Sequence, residues 1–141
     1  MKEHKLYMMP FSRKFIITFM LFDTDRLLNR KEKSLGKEFG IKDTPETAYA
    51  ACVYSKPEGL VYILLSREHL FRHYVAHEIM HAVDACTPDE AFIALGYGYN
   101  ATAYGVHHCN DITEERACIV GSLTEEYFAW EKRKYNNRRN I

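Results

Sequence analysis

Two histidines stand four residues apart in the stretch His77-Glu78-Ile79-Met80-His81. On a helix, positions i and i+4 lie about 40° apart around the axis, so both imidazoles can reach a single cation. Glu78 projects about 100° away from His77, beside the same point but not onto it. A carboxylate so placed can take a proton from a water polarised by a metal ion. Two imidazoles leave a catalytic zinc short of the three protein ligands it usually has. The stretch Glu114-Glu115-Arg116-Ala117-Cys118-Ile119-Val120-Gly121 offers the third. Glu114, Ala117 and Gly121 fall near one helical face, and the two small residues would permit the close approach that a short glutamate arm requires. Glu115 points elsewhere and is expected in solvent. The expected centre is one Zn2+ ion held by His77, His81 and Glu114, with Glu78 as general base; Fe, Mn, Co or Ni suit similar ligands.

Several neighbours could serve this centre. Asp84 lies seven residues after His77, nearly on the same face, and is expected to orient a ligand histidine or cap the helix rather than ligate. His69 and His73 continue the four-residue series toward the helix start. Drift takes His69 about 80° from His77, so four histidines of one helix cannot share one ion. They are expected as partly exposed residues at the helix entrance. Hydrolysis of an amide passes through an oxyanion that needs a donor, and Tyr97, Tyr99, Tyr104, His107 and His108 are all eligible.

The elements that must position these groups follow from periodicity and turn chemistry. Residues 13–22, rich in Ile and Phe, predict a first strand, and residues 26–39 a weakly amphipathic, largely solvated helix or irregular segment ending at Gly40. Residues 47–54 and 60–66 predict a β-hairpin across Ser55-Lys56-Pro57-Glu58-Gly59. From about Arg67 to Ala85, Phe71, Tyr74, Val75, Ile79, Ala82 and Val83 recur at helical steps, and Thr87-Pro88 ends the run. Residues 96–109, with three glycines, three tyrosines and two histidines, predict a long loop of the kind that carries function. A last helix is expected from near Asp111 to about Tyr135, capped by Asn110 or Asp111.

The arrangement resembles the gluzincin metallopeptidases, in which an HExxH helix is followed by a second helix bearing a glutamate ligand, often as E-x-x-A. Here that context reads Glu114-Glu115-Arg116-Ala117. The wider pattern, HEIMHA followed by TEERACIVGSLTEE, is similar to small single-domain HExxH proteins often encoded by phages and prophages. The likeness spans roughly residues 60–128. It implies zinc on His77, His81 and Glu114, with Glu78 as base. It also implies an α+β, minimal zincin-like domain: a small, mostly antiparallel sheet packed on an active-site helix and a second, glutamate-bearing helix. The strand at residues 60–66 would lie beside an extended peptide substrate. There are two departures. Some gluzincins place an aspartate that orients a ligand histidine four residues after the ligand glutamate, where this chain has Cys118. The larger families also add a C-terminal helical domain, without which the cleft should be shallow or built from the 96–109 loop.

Composition narrows the partners. The chain has 141 residues, 47% of them hydrophobic, which suits one domain over residues 1–141 with its own core. Its 19 Lys+Arg balance 19 Asp+Glu, so binding to nucleic acid by phosphate neutralisation is not expected. The basic residues of about 132–141 are expected to form a solvated, frayed tail. Four cysteines without a C-x-x-C pair suggest reduced thiols and a cytoplasmic protein. The apolar run Phe15 to Phe22 is far shorter than the ~18 residues of a membrane span, so no membrane partner is expected. The expected partner is a peptide or protein substrate. A second reading is a non-catalytic zincin-fold metal-binding interaction module, its zinc closed by a fourth ligand from Cys109, Cys118, His107 or His108. Glu78 separates the two, because a structural site has no use for a general base.

Overall fold

The computed structural model describes residues 1–41, 47–91 and 111–139, without the side chains of residues 111–114, 117 and 134–139. Tyr97, Tyr99, Tyr104, His107, His108, Cys109 and the rest of the expected 96–109 loop lie outside the described residues, as does the Asn110 cap.

Four strands form one mixed sheet: β1 (Lys2–Met8), β2 (Phe15–Phe22), β3 (Ala50–Ser55) and β4 (Leu60–Ser66), in the order β1-β2-β4-β3. β1 with β2 and β3 with β4 are antiparallel, as expected of a mostly antiparallel sheet. The inner pair departs from that expectation: β2 and β4 run parallel, with Ile17 opposite Val61 and Phe19 opposite Ile63. A parallel pair needs a crossover, and the chain supplies it through α1 (Asp25–Glu38). Helices cover both faces of the inner strands, which is why both read as near-continuous apolar runs.

Side chains of β2 and β4 alternate between two cores. Phe15, Ile17, Phe19 and Leu21, with Val61, Ile63 and Leu65, pack against α2 (Arg72–Cys86) and α3 (Asp111–Arg139) through Val75, Ile79, Ala82, Val83, Ile119, Leu123 and Tyr127. Met20, Phe22 and Leu64 face α1, meeting Leu28 and Leu35. The molecule is thus a small α+β fold, with α1 on one side of the sheet and α2 and α3 on the other. The segment at 26–39, expected as a weakly amphipathic helix or irregular segment, is a regular helix capped by Thr24, whose Oγ1 accepts the Leu27 N–H at 3.2 Å.

α2 begins after a 3-10 turn at Arg67–His69 and stops at Thr87, as the proline after it requires. α3 continues to Arg139, four residues past its expected end, and carries the basic cluster with it as helical backbone. Arg116 of α3 pairs with Asp84 of α2, and the Arg72 guanidinium lies 5.9 Å from the Phe128 ring centre. These contacts run in opposite chain order, so the two helices are antiparallel. No described helix is long and apolar enough to cross a membrane.

The β3–β4 turn closes on Gly59, at φ +67°, where a Cβ would sit 2.6 Å from the Lys14 carbonyl oxygen. The Gly59 carbonyl accepts the Ile16 N–H at 2.8 Å, at the start of the parallel pairing. The left-handed backbone alone disfavours a side chain by about 1–2 kcal/mol. The contact with Lys14 involves backbone and cannot relax cheaply. Gly59→Ala is therefore expected to destabilise by at least about 2 kcal/mol, read as a lower urea midpoint at unchanged slope.

Candidate metal centre

The exposed face of α2 carries His73, His77, Met80 and His81, opposite the buried face of Val75, Ile79, Ala82 and Cys86. On that face, His81 Nε2 stands 3.0 Å from His77 Nε2, with the ring planes 76° apart. A tetrahedral ion with Zn–N bonds of about 2.0–2.1 Å separates two ligand nitrogens by roughly 3.3 Å. The pair is within a few tenths of an ångström of that spacing, so the donors fit one cation. The same distance also fits a single N–H···N hydrogen bond. Among the described residues, no three His, Cys, Asp or Glu side chains form a metal-binding group. His77 and His81 supply two donors, and the side chain of Glu114 lies outside the described residues.

Glu78 leaves the histidine face and turns toward β3. Its side chain is 6% exposed. Burial pushes its carboxyl up to about 7; His81 works against that shift and the Glu32 carboxyl works with it. A carboxyl balanced near neutrality can accept a proton and give it back, as a general base that later acts as an acid must. Its raised value also fixes a sign. Stability from the protonated form is fully present below the ordinary value of 4.5 and is lost as pH rises through about 7. With metal removed by chelation, Glu78→Gln should melt above the parent protein near pH 8, and the gap should close toward about pH 5. Thermal melts at the two pH values check this.

Two openings flank Glu78. One, of about 440 Å³, is lined by Tyr49, Ala50, His73, Tyr74, His77 and Glu78. The other, of about 250 Å³, includes Ala50, Glu78 and His81 in its wall. Both run along β3. That corrects the expectation for residues 60–66: β4 is paired on both sides, so it has no free edge for a peptide. Among the described residues β3 is paired on one side only, and it is the strand whose outer edge lies beside the histidine motif.

Other expected residues go different ways. Asp84 is taken by Arg116 and ties α2 to α3; among the described contacts it orients neither histidine. Glu115 is not in solvent but half-buried, and its Oε1 accepts the Phe11 N–H at 3.0 Å. Gly121 is exposed, and an added Cβ would meet nothing within 4 Å, so it does not bring α3 close to α2. Contact comes instead through Ile119, Leu123 and Tyr127 and through the Arg116–Asp84 pair. That pair puts the first turns of α3, which carry Glu114, by the C-terminal end of α2, one turn beyond His81. His69 is half-buried before the helix, its Nδ1 2.8 Å from Asp25 Oδ2, and its ring stacks on Tyr49 at 3.9 Å. Cys52 is half-buried, Cys86 buried and Cys118 exposed, all as free thiols.

Nothing in the sequence marked Tyr49, Tyr74 or Glu32 as a neighbour of this site. The first two look like ordinary aromatic residues of a strand start and a helix. Glu32 carried a readable signal of burial: it is one turn from Leu28 and Leu35, on the apolar stripe of an otherwise charged helix.

Comparison of the chain with family models, with curated proteins and with solved structures finds no match in any of the three.

Proposed function

We propose that the protein is a zinc-dependent metallopeptidase of gluzincin type, with a minimal zincin-like fold, cleaving peptide or amide bonds. One observation carries the reading: two imidazole nitrogens 3.0 Å apart on the exposed face of a helix, with a buried carboxyl near neutrality on the residue between them and the sheet edge. A zinc ion on His77, His81 and Glu114 would polarise both the attacking water and the substrate carbonyl. Glu78 would take the proton from the attacking water as the carbonyl carbon is attacked, and would give it to the leaving amine nitrogen as the C–N bond breaks. The outer edge of β3 offers backbone groups to an extended substrate, which would hold the scissile bond across Glu78.

The test is elemental analysis of the purified full chain together with cleavage of a peptide library, with and without a chelator. About one zinc per chain, with cleavage that stops on chelation and returns with zinc, is the expected result. Bound zinc without cleavage of any peptide would favour the non-catalytic metal-binding module instead. Failure to bind zinc or a related divalent ion would overturn both.

A further inference from the structure

Among the described residues two carboxylates are buried, Glu78 and Glu32. Glu32 is 5% exposed on the sheet-facing side of α1, and nothing in the hydrolysis needs it. Its Oε2 is closed off from water and takes no hydrogen bond from any described residue. Leaving such a group unpaired costs a folded protein about 1–3 kcal/mol, more when it is charged. A leucine there would continue the stripe of Leu28 and Leu35 at no such cost.

The 250 Å³ opening explains what the carboxyl could be for. Glu32 lines it from one side of the sheet, and Glu78 and His81 line it from the other, so it wraps the outer edge of β3. Its floor is Ala48, Ala50 and Ala51, and among the described residues no lysine or arginine lines it. The Glu32 carboxyl disfavours the charge of Glu78, and burial disfavours the charge of Glu32 itself, with Lys33 working against that shift. The opening is therefore short of positive charge, apolar along its floor and next to the place where a peptide would pair.

We propose that this opening is a specificity pocket for a cationic side chain, arginine above all, of a peptide paired along β3, with Glu32 receiving the guanidinium. The alanines suit the methylene stem, and a planar guanidinium gives a carboxylate two parallel hydrogen bonds at a smaller dehydration cost than an ammonium. A second metal ion is the poorer occupant, because Glu32, Glu78 and His81 do not form a metal-binding group. Only the position of the pocket relative to the scissile bond rests on the peptidase reading.

Binding separates the two. The full chain is held in a chelator, so that nothing is cleaved, and titrated with a capped peptide carrying arginine at its centre. The same peptide with citrulline, which has the arginine shape without its charge, is the reference. The protein should bind the arginine peptide at least about tenfold more tightly, and Glu32→Gln should bring the ratio near one without changing citrulline affinity. A ratio near one in the parent protein, or a ratio kept in the variant, overturns the proposal. Should the variant fail to fold, the Glu32 carboxyl carbon resonance of the parent protein decides: it must move with the arginine peptide and stay still with the citrulline one. A protein that discriminates but cleaves nothing sinks the peptidase reading alone. One that cleaves but does not discriminate sinks this pocket alone.

Discussion

Glu78→Gln should abolish peptide cleavage and leave the metal where it is. Glutamine keeps the size of the side chain and its fit beside β3, but it cannot carry a proton from water to the leaving amine. General-base catalysis of this kind contributes about 10²–10⁴-fold, and the loss should be at least that large because one group serves both proton transfers. Glu78 projects away from the two ring nitrogens, so zinc content should stay within error of the parent protein. Single-turnover cleavage and elemental analysis on one preparation check both halves. A metal-loaded variant that cleaves at near-parental rate would remove Glu78 from the chemistry.

His81→Ala should show the complementary pattern, with metal and activity lost together. Removing even an outer partner of a ligand typically costs 10–100-fold in metal affinity, so removing the ligand itself should exceed about 100-fold. The fold should survive, because His81 is on the exposed face of α2. Glu114→Ala is expected to match His81→Ala, which would identify the third ligand. Glu115→Ala is the control: its carboxyl already holds the Phe11 N–H, so that change should lower stability and leave metal binding intact. Competition with a chromogenic chelator measures all three.

How far these features were readable depends on how local their causes are. The β3–β4 hairpin and α2 came through because a Pro-Gly turn and a 3.6-residue period are written in neighbouring residues. The parallel join of β2 to β4 did not, since it depends on which strand the chain reaches after α1. β1 was missed because its inward side is only His4, Leu6 and Met8, separated by charged or exposed residues, and the cover for it comes from α3, where His4 stacks on Trp130. The histidine pair was legible from spacing alone. The fates of Asp84 and Glu115 were not, because Arg116 and the Phe11 amide reach them from segments far away in the chain. The same distance in sequence hid the meeting of Glu32 with Glu78 around a strand edge.

Among the described residues the outer border of β3 is unpaired, and that has a cost of its own. Any strand that can accept a foreign backbone can also accept its twin, and sheets left this way tend to join molecule to molecule. This border is six residues long, which limits what such a union gains. Two molecules zipped along it would also crowd both copies of Glu32 and Glu78 into a single dry seam, where like charges repel strongly. The acids beside that border would thereby discourage clumping, and neutralising both of them should make the protein less soluble.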